Sequence, residues 1–197
     1  MSFVNLVSGG LDSTLIGVLA KEENIQHYPL FIDYGQRSSN QEWITCQAVH
    51  KALGLPQPTK IDLSGFGTTI ISGLTSTCLD IKHDAFTPNR NLFFLVMASA
   101  YAFQLGISSI CIGLLSEEYR LFPDQSVDFI KKSEACITAS LGRKIEILTP
   151  LIDFKKIDVY KLSQQKGITG TYSCHTGNIT PCGECISCSE FKFEGGK

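Results

Sequence analysis

The chain has 197 residues, of which 43% are hydrophobic and 18% are charged, and its formal net charge at pH 7 is −2. This composition is typical of a folded globular protein and excludes an intrinsically disordered one. A net charge this close to zero provides no global basic field to attract nucleic acid, so we expect no nucleic-acid partner.

The sequence predicts neither a signal peptide nor a membrane span. Its apolar start is interrupted at Ser8-Gly9-Gly10, and no run approaches the roughly 20 apolar residues that a membrane helix needs. We therefore expect a cytoplasmic protein that has no membrane partner.

A glycine turn follows the first apolar run and precedes residues with helical spacing. Strand, glycine turn and helix start together form a phosphate-binding arrangement, because glycines bring backbone N–H groups close to an anion. The helix N-terminus adds roughly half a positive charge. The expected phosphate-binding residues are Ser8, Gly9, Gly10, Leu11, Asp12, Ser13 and Thr14.

This loop lacks the lysine of a Walker motif, which reaches the outer phosphates of a nucleotide. No lysine occurs before Lys21, and Asp12 occupies the region where one would be expected. The pattern Ser-Gly-Gly-x-Asp-Ser resembles the pyrophosphate loop of ATP pyrophosphatases, which cleave ATP between its α and β phosphates. The alternative is an ordinary Gly-Gly turn followed by an aspartate that caps a helix.

Strand and helix patterns alternate along the chain. Strands are predicted over residues 3–7, 27–33, 59–63, 108–113 and 144–148, and helices over residues 40–53, 92–105, 124–140 and 155–166 in addition to the first helix. An irregular segment is predicted between residues 64 and 88. Such alternation indicates an α/β fold with a doubly wound, mostly parallel sheet covered on both faces.

Two further groups of residues are placed for ligand binding. Asp33, Gln36 and Arg37 follow the second strand, and the carboxyl ends of parallel strands line the ligand crevice. Arg90 precedes a helix that is apolar nearly all round and is therefore expected to be buried. The charge of Arg90 opposes the dipole of that helix, so a phosphate or carboxylate ligand would compensate. The alternatives are a polar turn at the first group and a structural salt bridge at the second. The basic pair Lys155-Lys156 is expected to be a solvated helix end.

Four of the eight cysteines lie close together near the end of the chain. Two overlapping Cys-x-x-Cys steps, with a fourth cysteine upstream, predict a tetrahedral sulfur site for zinc or an iron–sulfur cluster. We expect zinc, with His175 as a substitute ligand; the alternatives are a redox pair or unbound thiols. The expected ligands are Cys174, Cys182, Cys185 and Cys188.

The combined motifs resemble the 7-cyano-7-deazaguanine synthase family over nearly the whole chain. Besides the glycine loop, the pieces that carry the resemblance are residues 33–37 with Glu42, residues 88–91, Pro123-Asp124, residues 149–151, Ser173-Cys174 and the last three cysteines. The implied fold is the adenine nucleotide alpha hydrolase-like one, with a PP-loop ATP pyrophosphatase domain at residues 1–170 and a zinc knuckle at residues 171–197.

The resemblance implies adenylation of 7-carboxy-7-deazaguanine by ATP, displacement of AMP by ammonia, and a second adenylation that yields the nitrile. It further implies ATP, Mg²⁺ and Zn²⁺ as cofactors, and we expect a homodimer. By carry-over, Asp12, Ser13, Arg90 and Asp124 would be the catalytic residues, with Arg90 offsetting anionic charge and Asp124 near the substrate.

The sequence departs from the family around the presumed substrate region. Asn89 replaces a usual glycine, and Arg120-Leu121 and Gln125-Ser126 replace a Ser-Gly and a Cys-Arg pair. This pattern leaves open a diverged paralogue that stops at the amide or conjugates the acid to another amine. That amine could be on a protein, as in relatives from antiviral phage-defence systems. A non-catalytic nucleotide-binding scaffold is the third alternative.

Overall fold

The computed structural model describes residues 2–116, 118 and 120–192, and it contains the expected alternation of strands and helices. The strands of this part of the chain are β1 (Ser2–Val7), β2 (Gln26–Asp33), β3 (Thr59–Asp62), β4 (Ser109–Cys111) and β5 (Glu146–Leu148). The helices are α1 (Leu11–Glu22), α2 (Ser39–Ala52), α3 (Gly65–Thr69), α4 (Arg90–Gln104), α5 (Val127–Leu141), α6 (Lys156–Gln165) and α7 (Ile186–Ser189), and Pro123–Gln125 form a 3₁₀ helix.

The strands form one parallel sheet in the order β3-β2-β1-β4-β5. The predicted doubly wound parallel sheet is thereby confirmed. The strand order reverses between β1 and β4, and a ligand crevice opens at the carboxyl ends of the strands on either side of such a reversal. The loop that follows β1, which carries the glycine turn, therefore lies at the edge of this crevice.

Alternating residues of the strands supply a separate core on each face of the sheet. Val4 and Leu6 belong to a core that includes Leu95 of α4 and Ile130 of α5. Phe3 belongs to the opposite core. That core also contains Leu15 and Ile16 of α1 and Val159 of α6. Because residues 3–7 of β1 are buried on both faces, their sequence is an apolar run interrupted only by Asn5.

The structure corrects three sequence predictions. Helix α5 begins at Val127 and not at Asp124, because Ser126 is extended and its Oγ caps the helix by accepting the Phe129 amide at 3.1 Å. The irregular segment between residues 64 and 88 contains the short helix α3. Helix α4 is not buried all round, since Phe103 remains 47% exposed.

None of the helices in the described residues is both long enough and apolar enough to cross a membrane.

Candidate functional site

A cleft of about 300 Å³ lies at the carboxyl ends of β1, β2 and β4. Its walls come from the glycine loop, the start of α2, the start of α4 and the cysteine-rich C-terminal segment. Its polar lining residues include Ser8, Asp12, Ser13, Gln36, Ser38, Glu42, Arg90, Asn91, Lys156, Ser173, His175, Ser187 and Glu190. The cleft therefore brings together the first motif of the chain and the last.

The glycine loop passes close to the backbone of α2. Gly9 has φ +76°, and a Cβ atom at this position would lie 2.8 Å from both the Glu42 carbonyl oxygen and the Cys46 amide nitrogen. Only glycine fits there, because the conformation and the space both exclude a side chain. The loop then enters α1, where the Thr14 hydroxyl donates to the Gly10 carbonyl at 2.8 Å.

A buried asparagine fastens the start of α1 to the sheet. Asn5 is fully buried in β1, and its Nδ2 donates to the Ser13 carbonyl at 3.2 Å. Within the loop, the Ser8 amide donates to Ser13 Oγ at 3.4 Å and the Gly10 amide donates to Ser8 Oγ at 3.3 Å. The loop and helix N-terminus are thus held in one arrangement, which can bind an anion.

Sequence reasoning missed the lysine of this site. Lys156 was expected to be part of a solvated helix end, but its side chain is only 4% exposed. Its Nζ lies 2.9 Å from both carboxylate oxygens of Asp12 and 3.3 Å from Oε2 of Glu190. Helix α6 therefore places a lysine beside the glycine loop, although Lys156 lies 144 residues after Asp12 in the sequence.

The charge of Lys156 is stabilised by its two carboxylate partners. Burial alone would lower the pKa of Lys156, but the nearby Asp12 and Glu190 carboxylates reverse that effect and raise the pKa above its usual value. Burial raises the pKa of Glu190, and Lys156 opposes that rise. Phe191 adds a cation–π contact, with Nζ of Lys156 4.9 Å from its ring centroid.

Asp33 and Arg37 lie outside the lining of the cleft, whereas Gln36 lines it. The carboxylate of Asp33 pairs with Lys60 at 2.8 Å. Burial would raise the pKa of Asp33, but hydrogen bonds that include the one from Lys60 lower it below its usual value. Nη1 of Arg37 donates to the Gly73 carbonyl at 3.2 Å.

Glu42 is a second charged residue of the cleft lining that the predicted site residues did not include. Its two carboxylate oxygens accept hydrogen bonds from Gln36 Nε2 at 2.9 Å and from Ser38 Oγ at 2.8 Å. Burial raises the pKa of Glu42 despite these bonds. The sequence signal was present, because Glu42 lies only six residues after Gln36.

Arg90 begins α4 and lines the cleft. Its guanidinium carbon lies 6.0 Å from the ring centroid of Phe94, and its Nε is buried without a hydrogen-bond partner among the described residues. Asn89, which precedes it, has φ +59°, a left-handed conformation that glycine and asparagine adopt most readily. Asparagine at this position is therefore compatible with a backbone conformation that glycine also adopts.

Asp124 contacts Asn91 and does not itself line the cleft. Its Oδ2 accepts the Asn91 amide at 3.3 Å, and its carbonyl accepts the Asn91 side-chain amide at 2.9 Å. Its Oδ1 is buried and has no hydrogen-bond partner in the described part of the chain. Asp124 thus holds Asn91, a buried residue of the cleft wall.

The segment that departs from the family forms part of the cleft and is stabilised by its own side chains. Oε1 of Gln125 accepts the backbone amides of Leu121 at 2.8 Å and Phe122 at 2.9 Å. All three of these residues line the cleft, and Leu121 is 56% exposed. These side chains therefore contribute to the shape of the cleft.

The four expected metal ligands are brought together by the fold. The Sγ atoms of Cys174, Cys182, Cys185 and Cys188 all lie within 4.8 Å of one another and could hold a metal ion. A tetrahedral zinc site with Zn–S bonds of about 2.3 Å places its sulfur atoms roughly 3.8 Å apart, so the cluster fits zinc with little adjustment. His175 is not part of this group of four, and its Nε2 lies 2.9 Å from Ser187 Oγ.

Backbone amides point at the sulfur atoms of the cluster. The Cys182 amide donates to Cys174 Sγ at 3.3 Å, and the Cys185 amide donates to Cys182 Sγ at 3.4 Å. Such hydrogen bonds favour the thiolate form that a metal requires. Burial opposes ionisation of Cys174, but hydrogen bonds from Thr176 and Cys182 lower its pKa to about 6.

The cysteine-rich segment is attached to the phosphate loop. The Tyr172 amide donates to the Gly9 carbonyl at 2.9 Å, and Gly177 packs against the backbone of Arg37. Tyr172 also belongs to a small core with Cys174 and Cys185. A metal bound by the cysteines would therefore order one wall of the cleft.

Comparison with known proteins identifies relatives along the whole described chain. The family described as "Queuosine biosynthesis protein QueC" matches residues 2–193. The 7-cyano-7-deazaguanine synthase of Prochlorococcus marinus (strain MIT 9515) is 34% identical over 204 residues, which cover 95% of this chain and 90% of that protein. The 7-cyano-7-deazaguanine synthase of a Nitratiruptor species is 33% identical over 200 residues, with coverage of 95% and 90%.

Two solved structures share the fold at low sequence identity. A 4-thiouridine synthetase–RNA complex with bound ATP matches with a TM-score of 0.55 and 16% identity, covering 85% of this chain and 41% of that one. A predicted subunit of a tRNA methyltransferase from Methanocaldococcus jannaschii matches with a TM-score of 0.54 and 20% identity, covering 84% and 76%. These likenesses concern the fold alone.

Proposed function

The chain belongs to the QueC family of queuosine biosynthesis proteins, and we propose that it is an ATP-dependent ligase that converts 7-carboxy-7-deazaguanine and ammonia into 7-cyano-7-deazaguanine. The observation that carries this proposal is the glycine loop at the N-terminus of α1, which opens onto the cleft together with Arg90. The cleft thus combines a loop suited to phosphate binding with an arginine that can neutralise a substrate carboxylate.

Adenylation gives the reaction its driving force. A carboxylate is a poor electrophile, so an oxygen of the acid attacks the α-phosphorus of ATP, the bond to the β-phosphate breaks, and pyrophosphate leaves. Ammonia then attacks the acyl carbon, AMP leaves with the former carboxylate oxygen, and one proton is released to give the amide. A second ATP adenylates the amide oxygen, and loss of AMP and the remaining amide protons gives the nitrile.

The residues of the cleft have distinct proposed roles. Ser8, Gly10 and Ser13 hold the phosphates with hydroxyl groups and backbone amides at the N-terminus of α1. Arg90 neutralises the substrate carboxylate or the α-phosphate as negative charge develops there. Asp124 keeps Asn91 in place through two hydrogen bonds, so its contribution to substrate binding is indirect.

We further propose that residues 1–170 form the catalytic domain and that residues 171–197 form a zinc-binding segment that completes it. Zinc would be held by the four cysteines and would supply structural stability, and Mg²⁺ would arrive with ATP and neutralise its phosphates. The zinc-binding segment itself contributes Tyr172, His175 and Glu190 to the lining of the cleft.

Product analysis tests the proposed function. Purified protein is incubated with ATP, Mg²⁺, ammonium and 7-carboxy-7-deazaguanine, and the products are analysed by mass spectrometry. We expect the nitrile, with two AMP and two pyrophosphate per nitrile. Release of ADP and phosphate, or AMP formation that does not depend on the acid, would contradict the proposal.

One structural observation favours a second candidate function. Leu121, Phe122 and Gln125 line the cleft in the segment where the sequence departs from the family. An altered wall at this place can change which amine reaches the adenylate, so the amide, or a conjugate with another amine, is the second candidate product. The same assay separates nitrile from amide formation, because the amide accumulates with one AMP per amide if the second adenylation does not occur. A conjugate is detected when the assay is repeated with other amines in place of ammonium.

A further inference from the structure

Two polar side chains of the cysteine-rich segment line the cleft and lie outside the four-cysteine cluster. They are His175 and Ser187, and Nε2 of His175 lies 2.9 Å from Oγ of Ser187. His175 directly follows Cys174, whereas Ser187 belongs to α7. The fold of the segment therefore places one hydrogen-bonded pair in the wall of the cleft.

The hydroxyl group of Ser187 keeps a free acceptor in either tautomer of His175. A serine hydroxyl has one proton to donate and two lone pairs that accept. If Nε2 of His175 donates to the hydroxyl, one lone pair remains, and if the hydroxyl donates to Nε2, both remain. Nδ1 of His175 is buried without a hydrogen-bond partner in the described part of the chain. Ser187 Oγ is therefore the atom of this pair that can accept a hydrogen bond from a ligand.

The other polar side chains of the cleft are paired or lie at the glycine loop. The carboxylate and amide groups of the lining that already have a partner are Asp12, Gln36, Glu42, Asn91, Gln125 and Glu190. Ser38 donates to Glu42, and Ser173 Oγ lies 3.4 Å from the place that a Cβ atom of Gly10 would occupy. Ser187 is thus an uncharged acceptor of the cleft that lies away from the phosphate-binding groups.

The attacking amine requires an acceptor of this kind. In the proposed reaction the adenylate lies between the glycine loop and Arg90, and the nitrogen that attacks it is uncharged, because its lone pair forms the new bond. The charge of Arg90 acts on the His175 imidazole, so the pair lies within electrostatic reach of this arginine. A cation is disfavoured at such a place, whereas an uncharged amine can donate an N–H to Ser187 and keep its lone pair.

We propose that Ser187 binds the attacking amine by accepting one of its N–H groups, and that His175 is a positioning residue that orients the Ser187 hydroxyl. This inference rests on the proposed function for the adenylate that the amine attacks. It names the residues of the cysteine-rich segment that hold the nucleophile, whether the nucleophile is ammonia or a primary amine.

The test measures adenylation and amine attack separately on the full chain. Exchange of labelled pyrophosphate into ATP, with the deazaguanine acid present and ammonium absent, reports adenylation alone. Product formation at increasing ammonium chloride and fixed pH gives the apparent KM for ammonium. Ser187→Ala is expected to raise this KM about 3–10-fold, as for the loss of one uncharged hydrogen bond, and to change the exchange rate by less than about twofold.

Variants of His175 test the positioning role without altering α7. His175→Phe removes the partner of the Ser187 hydroxyl and is expected to raise the KM for ammonium about threefold. His175→Gln should raise it less, because the glutamine amide can still bond the hydroxyl. The double variant Ser187→Ala/His175→Phe should have the KM of Ser187→Ala, because His175 acts through Ser187.

Ser189→Ala is the matched control for Ser187→Ala. Ser189 lies in the same helix, but its Oγ donates to the Glu184 carbonyl at 3.4 Å and it is not part of the cleft lining. This variant should leave both the exchange rate and the KM for ammonium unchanged. All variants are compared at equal zinc content, so that a disturbed metal site is not mistaken for loss of amine binding.

A folded Ser187→Ala protein with an unchanged KM for ammonium, or with an exchange rate that falls as steeply as product formation, would overturn the amine role of Ser187. An unchanged KM in His175→Phe, or additive effects in the double variant, would overturn the positioning role of His175. Each of these results leaves the proposed function intact. Absence of acid-dependent exchange in the unaltered protein would contradict the proposed function, and the amine role of Ser187 with it.

Discussion

Asp12→Ala is expected to abolish ATP cleavage and to lower the Tm by roughly 10 °C. The substitution leaves the Lys156 ammonium, whose side chain is 4% exposed, with Glu190 as its remaining carboxylate partner. Removing one partner of a buried pair costs about 3–5 kcal/mol when the other charge is left unpaired, and the remaining Glu190 contact keeps the expected loss at the lower end of this range. Thermal unfolding and an AMP-release assay measure the two effects.

The control for Asp12→Ala is Asp128→Ala. Asp128 also lies in the first turn of a helix and pairs with a lysine, Lys132, at 2.7 Å, but it is 72% exposed. Removing an exposed ion pair of this kind should lower the Tm by less than about 2 °C. In the double variant Asp12→Ala/Lys156→Met, part of the lost stability should return while ATP cleavage stays absent. A folded Asp12→Ala protein with normal Tm and normal AMP release would rule out the role assigned to this aspartate.

Cys185→Ser is expected to release zinc and to lower the Tm by more than about 10 °C. Cys185 is fully buried, and it packs with Tyr172 and Cys174 in the small core of the C-terminal segment. Because that segment contacts Gly9 and carries Glu190, ATP binding should weaken along with stability. Elemental analysis, thermal unfolding and calorimetry with ATP measure these three quantities.

An exposed cysteine outside the cluster provides the control for the metal site. Cys78→Ser should keep one zinc per chain and the Tm of the unaltered protein, because Cys78 is exposed and lies outside the four-cysteine cluster. One zinc per chain in Cys185→Ser at an unchanged Tm would contradict the four-cysteine site. Iron and sulfide in the unaltered protein would contradict zinc as its metal.

The fold could be predicted from the sequence because each element carries a local signal. The apolar run of β1, the glycine turn and the helix α1 are contiguous, and the same alternation repeats to α6. The start of α5 was misplaced because Asp124 and Ser126 are both good helix caps, and sequence alone does not choose between them. The tertiary structure selects Ser126 as the cap, because Asp124 accepts two hydrogen bonds from Asn91.

Candidate site residues that lie close together in sequence form recognisable motifs, and their functional roles stay predictions. In the first motif Ser8 and residues 10–13 line the cleft, and the four cysteines of the second motif form one cluster. The contact that connects these two motifs could not be predicted from short sequence motifs. Lys156 resembles any helix-end lysine in sequence, and only the packing of α6 against α1 brings it to Asp12 across 144 residues.

The chemistry of activation is the central claim, and isotope transfer tests it most directly. Acid labelled with ¹⁸O in both carboxylate oxygens is incubated with the protein, ATP, Mg²⁺ and ammonium, and AMP and pyrophosphate are analysed by mass spectrometry. Adenylation of the acid and then of the amide predicts two AMP per nitrile, each carrying one ¹⁸O, and unlabelled pyrophosphate. Unlabelled AMP, or ¹⁸O in inorganic phosphate, would show that the carboxylate does not attack the α-phosphorus and would contradict the account.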